Sequence, residues 1–347
     1  MTKWIQQEGP DNDIIISSRI RLARNIDDFP FPIALTKAKS KEVFKRVSHA
    51  ILEGKHDLRN DFDLITLEEA PQIERQVLVE KHLISPNLAI NYEKGGVLLN
   101  KDESVSVMIN EEDHIRIQCL LPGFQLEEAL NIANKVDDTI EEEVKYAFDE
   151  KLGYLTSCPT NVGTGIRASV MLHLPALRMT GYMNRILQAA SQIGLAVRGI
   201  YGEGTEFVGN LFQISNQLTL GRSEKDIVGN LKDVTRQIIQ KERDARSTLL
   251  SNNGMQLKDQ IYRSFGILCN ARILSSQECM KLLSNVRLGI DLGILKDMKI
   301  DNINEIMVMT QPACLQERGG KVLSSNERDI RRASLVRKKL ENKISCE

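Results

Sequence analysis

Several short segments of this chain alternate apolar and polar residues, and this alternation limits the fold more than any other feature. A period of two places successive side chains on opposite faces of a β-strand. In Asp13–Leu22, Arg19 and Arg21 fall on one face, and Ile20 and Leu22 fall on the other. The segment is therefore predicted to be a strand with a core-facing side and an arginine-bearing side.

A second pair of alternating segments predicts a β-hairpin. Ser104–Asn110 alternates, and the pattern resumes from Ile115 to Cys119 after the acidic run Glu111-Glu112-Asp113. Two such segments joined by a short polar connection are typical of a hairpin, here with acids at its tip. Further strands are predicted at Ile166–Leu174, Leu195–Ile200 and Phe207–Ser215.

Helical spacing dominates the rest of the chain. Apolar residues recur at helical intervals in Gln125–Glu150, Pro175–Gly194, Asp226–Leu250 and Met255–Leu295, and a final helix is expected from about Ser325. The run Ser251-Asn252-Asn253-Gly254 predicts a break. Hairpins combined with long helices favour an α+β fold, with a largely antiparallel sheet flanked by helices. We expect a catalytic domain over residues 1–250 and a smaller helical domain over residues 251–347.

Composition excludes several classes of protein. The net charge of −1 argues against direct nucleic-acid binding, and no apolar run approaches the roughly 20 residues of a membrane span. The N-terminus lacks the apolar stretch of a signal peptide. Six cysteines without a CxxC pair suggest neither a zinc site nor a disulfide framework. A cytoplasmic protein with no membrane partner is expected.

The most informative polar residues are arginines on predicted strands. The chain has no GxxxxGK[ST] loop and no complete GxGxxG motif. Five arginines occupy polar-facing strand positions: Arg19, Arg21, Arg116, Arg167 and Arg198. One such arginine usually belongs to a solvated face, but several guanidinium groups together suit the oxygens of a transferring phosphoryl group. Whether the five converge is left open by the sequence.

Four segments together resemble the guanidino (phosphagen) kinase family. They are residues 17–25 (SSRIRLARN), 110–116 (NEEDHIR), 158–170 (CPTNVGTGIRASV) and 198–203 (RGIYGE), in the family's order. The resemblance implies a glutamine synthetase-like catalytic fold, ATP as phosphoryl donor, and Mg²⁺ held mainly by the nucleotide phosphates rather than by protein ligands.

The resemblance also implies roles for individual residues. Glu112 and Glu203 would bind the substrate guanidinium and one would accept its proton, while Cys158 would help to orient it. The expected ATP-binding residues are Ser17, Ser18, Arg19, Ile20, Arg21, His82, Arg116, Arg167, Ala168, Ser169, Val170, Met171, Arg198, Gly199, Ile200, Tyr201, Gly202 and Glu203. A guanidinium has no free lone pair, so it needs such orientation and deprotonation before it can act as a nucleophile.

Within the family, the chain is most similar to the bacterial protein arginine kinases. The first motif starts at Ser17, which leaves no room for the helical domain that closes over small substrates. The segment Arg328, Asp329, Ile330, Arg331, Arg332 and Ala333 resembles an allosteric phosphoarginine-binding element. The branch implies protein substrates with accessible arginines, a homodimer, a zinc-binding activator protein, a heat-shock repressor and a Clp-type unfoldase as partners.

Three alternatives remain at this stage. A short phosphagen kinase would act on free arginine, and a non-catalytic adaptor would bind phosphoarginine without transferring it. The adaptor should have lost Glu112, Glu203 or a phosphate-binding arginine, yet all are present. A purely structural oligomerisation protein would leave the four motifs unexplained.

Overall fold

The structure is a computed structural model, and it describes residues 5, 7–199, 208–296, 298–320 and 322–341. An antiparallel sheet of eight strands forms its centre, in the spatial order β2-β3-β4-β5-β1-β8-β10-β9. The strands are β1 (Ile15–Arg24), β2 (Phe62–Thr66), β3 (Gly96–Asn100), β4 (Val105–Ile109), β5 (Ile115–Pro122), β8 (Ile166–His173), β9 (Leu195–Gly199) and β10 (Leu211–Asn216). The short strands β6 (Phe148–Asp149) and β7 (Gly153–Tyr154) pair separately.

The expected antiparallel α+β architecture is confirmed. Strands β4 and β5 form the predicted hairpin, with residues 110–114 as its tip. Strands β2 and β3 were not predicted. Val97, Leu98 and Leu99 of β3 are buried on both faces, so that strand carries no apolar–polar alternation.

The helices surround this sheet. They are α1 (Lys37–Leu52), α2 (Gln72–Glu80), α3 (Pro86–Ile90), α4 (Leu126–Glu141), α5 (Pro175–Met179), α6 (Met183–Gln192), α7 (Glu224–Asn270), α8 (Ser276–Asp291), α9 (Ile300–Met309), α10 (Pro312–Gly319) and α11 (Ser325–Glu341). The segment Pro175–Gly194 holds two helices instead of one, since Gly181 adopts a positive φ of 75° between them. Helix α4 ends at Glu141, nine residues before the expected end.

The predicted break near residue 251 is wrong. Helix α7 continues through Ser251-Asn252-Asn253-Gly254, and only Asn253 departs from helical geometry, with φ −132° and ψ 29°. Weak helix formers cost fractions of a kcal/mol each, whereas both halves of α7 bury apolar residues against other elements. The expected single helix over Met255–Leu295 is also wrong, because Ala271 is extended and Ser275 caps the new helix α8.

The two faces of the sheet are covered differently. Ile20, Leu22 and Val170 pack in a core with α4 and the first half of α7. On the opposite face, Leu120 and Met171 pack against residues of the C-terminal helices. This second cluster covers one end of the face and leaves its other end to the arginines. In the described part of the chain, no helix is long and apolar enough to cross a membrane.

Candidate active site

Strand pairing brings the five predicted arginines together. In the sheet Arg21 pairs with Arg167, Ala23 with Arg116, and Gln213 with Arg198, so these side chains share one face. All five line a single cavity of about 530 Å³, together with Glu112, Cys158 and Gly199. We call this cavity the arginine cavity. The convergence that the sequence left open is therefore present.

The arginine cavity concentrates positive charge. Burial, with the charges of Arg116 and Arg167, lowers the pKa of Arg19 to about 10. Burial and the same neighbours, with Arg19, also lower the pKa of Arg21. Among the described residues, Arg21 Nε is buried without a hydrogen-bond partner. Mutual repulsion and an unpaired donor make this a site for an anion with several oxygens.

Neutral and acidic neighbours position two of these guanidinium groups. Arg19 Nη2 donates to Gln213 Oε1 at 2.7 Å, and its Nε donates to Ser169 Oγ at 3.3 Å. Arg116 Nη1 donates to Glu111 Oε2 at 2.7 Å. Gln213 and Glu111 were not predicted as site residues, since only the strand register and the hairpin tip bring them to the arginines.

Glu111 organises the base of the hairpin tip. Its carboxylate also accepts hydrogen bonds from Ser85 Oγ at 2.6 Å and from the backbone N–H of Glu112 at 2.8 Å. Burial acts to raise the pKa of Glu111, but the charge of Arg116 and these hydrogen bonds hold it below its usual value. Glu111 is therefore an anion that positions both the Arg116 guanidinium and the backbone of Glu112.

Glu112 and Cys158 reach the arginine cavity from two loops. Partial burial and the charges of Glu111 and Asp113 raise the pKa of Glu112. Asp113 Oδ1 accepts from Asn25 Nδ2 and from the backbone N–H of Ser157, both at 2.6 Å. These bonds tie the hairpin tip to the loop that carries Cys158, whose Sγ lies 3.0 Å from Thr160 Oγ1.

His82 lies beside the arginines in an unusual backbone conformation. Its φ is +60°, and Gln118 Nε2 donates to its carbonyl oxygen at 2.7 Å. Burial and the charge of Arg19 lower the pKa of His82 to about 4. The imidazole is consequently neutral near pH 7 and adds no further charge to the site.

Several residues that are predicted to contact ATP have side chains buried away from the arginine cavity. The side chains of Ile20, Ala168 and Val170 point to the opposite face and are fully buried in the core. Ser17 is also buried, and Ser18 Oγ is occupied by Gly123 O at 2.8 Å and the Gln125 backbone N–H at 2.9 Å. Met171 packs against the C-terminal helices. The predicted ATP contacts of these residues stay predictions. Ser169 contributes through Arg19.

Part of the predicted site lies outside the described residues. These residues are Ile200, Tyr201, Gly202 and Glu203. The proposed pairing of Glu203 with Glu112 stays a prediction.

The arginines of the C-terminal motif face different environments. Arg332 is 1% exposed, and it donates to Thr310 O at 2.9 Å, Leu274 O at 2.8 Å and Asp329 Oδ1 at 2.5 Å. Arg332 and Asp329 therefore satisfy each other inside the domain, whereas Arg328 and Arg331 of the same helix are only partly buried.

The remaining members of this motif are divided between surface and interior. Arg328 Nη1 donates to Leu323 O at 2.8 Å, and the Arg331 guanidinium packs close to Gly319. Ile330 is partly exposed, whereas Ala333 is fully buried. A phosphoarginine site on this helix would therefore depend on Arg328 and Arg331.

The donor set of the arginine cavity suits a polyphosphate rather than a protein-held metal ion. Among the described residues, no three His, Cys, Asp or Glu side chains form a metal-binding group. Hard cations such as Mg²⁺ take several oxygen ligands, whereas the described cavity wall offers one carboxylate, Glu112, beside five guanidinium groups.

Family models match most of the chain. The model of the ATP:guanido phosphotransferase C-terminal catalytic domain matches residues 42–245, which include Glu112, Cys158 and three of the five arginines. The model of the C-terminal domain of the protein-arginine kinase McsB matches residues 254–346.

Curated proteins and solved structures agree with these matches. The chain is 56% identical to the protein-arginine kinase of Halalkalibacterium halodurans over 98% of its own length and 95% of that protein. It is 54% identical to that of Bacillus subtilis over 98% and 93%. A lombricine kinase structure is 26% identical with a TM-score of 0.61, covering 70% of each chain. The duplicated taurocyamine kinase of Schistosoma mansoni, with bound transition state analog components, is 25% identical with a TM-score of 0.60, covering 79% of this chain and 40% of that one.

Proposed function

The chain belongs to the ATP:guanido phosphotransferase family, and we propose that it transfers the γ-phosphoryl group of ATP to arginine side chains of proteins. The observation that carries the proposal is the arginine cavity, where five guanidinium groups lie beside Glu112 and Cys158. Similarity over nearly the whole length to protein-arginine kinases supports a protein substrate over a free amino acid.

The arginines act on the phosphates. The five arginines of the cavity bind the triphosphate of ATP and the γ-phosphoryl group during its transfer. Their positive charge offsets the negative charge that spreads over the oxygens of the phosphoryl group. These residues are Arg19, Arg21, Arg116, Arg167 and Arg198. Mg²⁺ held by the nucleotide phosphates would supply further neutralisation of their charge. His82, neutral and beside Arg19, contacts the nucleotide without adding charge.

Glu112 acts on the substrate guanidinium. Its carboxylate binds the guanidinium NH groups, places one nitrogen in line with the γ-phosphorus and accepts the proton as the P–N bond forms. The bond from the γ-phosphorus to the bridging oxygen breaks, and ADP leaves. A raised pKa makes Glu112 a better proton acceptor than an ordinary carboxylate. Cys158 and Glu203 complete the guanidinium pocket in this proposal.

The finer roles extend the proposal beyond the active site. We propose a catalytic unit over residues 1–250 and a helical dimerisation and phosphoarginine-binding unit over residues 251–347, in which Arg328 and Arg331 bind phosphoarginine. Met255 and Tyr262 lie seven residues apart on α7 and are 77% and 54% exposed, which supports homodimerisation through this unit. The family resemblance supports a zinc-binding activator, a heat-shock repressor and a Clp-type unfoldase as cytoplasmic partners.

The proposal is tested with radiolabelled ATP and an unfolded, arginine-containing protein, beside free arginine. Glu112→Gln removes the proton acceptor while keeping the shape of the side chain, and we expect a loss of about 10²–10⁴-fold in rate. Glu143→Gln, at an exposed position outside the cavity, is the matched control and should keep the wild-type rate. Acid-labile phosphate on free arginine alone would indicate a phosphagen kinase. Equal rates in Glu112→Gln and Glu143→Gln would show that Glu112 is not the proton acceptor.

A further inference from the structure

A second cavity, of about 750 Å³, adjoins the arginine cavity at the hairpin tip. Glu112 lines both cavities, and Glu111 lies in the wall of the second one. We call it the tip groove. An arginine whose guanidinium reaches Glu112 is attached to a polypeptide that must lie outside the arginine cavity. The tip groove is continuous with that position.

The rim of the tip groove carries apolar side chains exposed to an unusual degree. Ile33 is 97% exposed and Ile90 is 74% exposed, and both line the groove. Exposed isoleucines normally scatter singly over a surface, whereas two on one groove beside an active site indicate a contact surface. They offer apolar contacts to side chains next to the target arginine.

The wall of the groove also contains unsatisfied polar atoms. Asn110 is 7% exposed and its Nδ2 donates to Ser40 O and Lys94 O, both at 2.9 Å, while its Oδ1 has no partner among the described residues. Ser157 Oγ, in the same wall, is unpartnered too. Both oxygen atoms are buried in the wall, so a side-chain rotation that exposed either of them would let it accept a hydrogen bond from a bound main chain.

Charge further restricts the occupant. Glu93, Glu111 and Glu112 line the groove against one cation, Lys94. Glu111 is neutralised by Arg116, but Glu93 is exposed on the rim. An acidic residue next to the target arginine would therefore be repelled, and a basic or neutral one would be favoured.

From these observations, and resting on the proposed function, we propose that the tip groove binds the extended polypeptide segment that flanks the target arginine. Ile33 and Ile90 contact its apolar side chains, and Glu93 selects against neighbouring carboxylates. The groove thereby sets which arginines of an unfolded protein reach Glu112, a specificity that the arginine cavity alone does not supply.

The first test measures binding, which does not depend on catalysis. A fluorescein-labelled peptide with arginine between leucine and lysine residues is titrated with the wild type and with Ile33→Ser/Ile90→Ser. The control is Ile193→Ser/Ile273→Ser, which removes two exposed isoleucines elsewhere. We expect the groove variant to raise the Kd about tenfold, roughly 1.4 kcal/mol, and the control to leave it within about twofold.

The outcomes separate the groove from the catalytic proposal. An unchanged Kd in the groove variant, or an equal rise of the Kd in the control, would contradict the proposal that the tip groove binds the peptide. If peptide binding depends on Ile33 and Ile90 but no phosphate is transferred to the peptide, the tip groove is a peptide-binding site and the proposed kinase function is wrong.

The second test exchanges charge. Glu93→Lys should improve binding of a peptide with glutamates beside its arginine relative to one with lysines, by about tenfold in the ratio of Kd values. Glu143→Lys is the matched control at an exposed site. If the ratio of the two Kd values is the same in Glu93→Lys and in the wild type, Glu93 does not discriminate between charged residues beside the target arginine.

Discussion

Arg21 and Arg24 lie three residues apart on strand β1, yet their surroundings are opposite in kind. Arg24 is 1% exposed, and it donates from Nε and Nη2 to Asp137 Oδ2 at 3.0 and 2.6 Å. It also donates to two backbone carbonyls and stacks 3.6 Å above the Tyr154 ring. The protein itself therefore satisfies this guanidinium on every side.

Arg21 has the same side chain but no such partner among the residues that the structure describes. It faces the arginine cavity, where the cations Arg19, Arg116 and Arg167 act on its charge more strongly than the anion Glu111. Its buried Nε is unpaired in the described part of the chain. The lowered pKa of Arg21 means that its protonated form is less stable in the folded chain than in the unfolded one. This cost is present wherever the Arg21 guanidinium is protonated, and it is relieved only as rising pH removes that proton.

The difference separates arginines that hold the fold from arginines that await a ligand. A buried guanidinium with a carboxylate partner stabilises the fold, because its removal leaves the carboxylate buried without a counter-charge. A guanidinium among other cations destabilises the empty protein and is stabilised only by a bound anion. The comparison predicts that the two groups respond in opposite ways to mutation and to polyphosphate.

The largest expected effect is on activity in the arginine cavity. Arg21→Ala should reduce the phosphorylation rate about 10³-fold, roughly 4 kcal/mol of transition-state stabilisation. The free energy of unfolding, measured by urea denaturation, should be unchanged or slightly higher because repulsion is relieved. Arg236→Ala, at an exposed arginine on α7, should alter neither quantity. A clear loss of stability in Arg21→Ala would break the distinction between the two groups.

The next effect concerns stability at the core arginine. Arg24→Ala leaves the carboxylate of Asp137 buried without its cation, and should lower the free energy of unfolding by about 3–5 kcal/mol. Adding Asp137→Asn removes the stranded charge and should recover part of the loss. Urea denaturation of the single and double variants measures both, and a loss below about 1 kcal/mol would show that the pair is dispensable.

The smallest effect is ligand stabilisation, which sharpens the comparison without changing the fold. Inorganic tripolyphosphate should raise the stability of the wild type by about 2.7 kcal/mol at a concentration 100 times its Kd. The gain should shrink in Arg21→Ala and persist in Arg236→Ala, as measured by thermal denaturation at low salt. Equal gains in all three proteins would indicate that the anion binds elsewhere.

Local patterns predicted the elements that matter for the site. Strand β1 and the β4–β5 hairpin were predicted correctly because polar residues such as Arg21, Ser106 and Gln118 alternate with apolar ones along them. Strand β3 was missed because Val97, Leu98 and Leu99 are consecutive apolar residues and show no alternation. The residue run at 251–254 was misread as a break because packing of the helix outweighs weak propensity.

The roles of individual arginines could not be read in the same way. Arg19, Arg21, Arg24 and Arg332 are equivalent by residue type, and the family resemblance marked all but Arg24 as binding residues. In the folded chain Arg332 donates to Thr310 O, 22 positions away, and to Leu274 O, 58 positions away. No local pattern records such partners.

By itself, the sequence determined the fold class, the acidic hairpin and the five strand arginines, because these depend on residue type and short-range periodicity. The tertiary structure decided which guanidinium groups are satisfied by the protein and which are left for an anion. It also placed Glu111 on Arg116 and opened the tip groove beside Glu112. Those properties arise from strand register and long-range packing, where partners distant in the chain set the burial and charge around each residue.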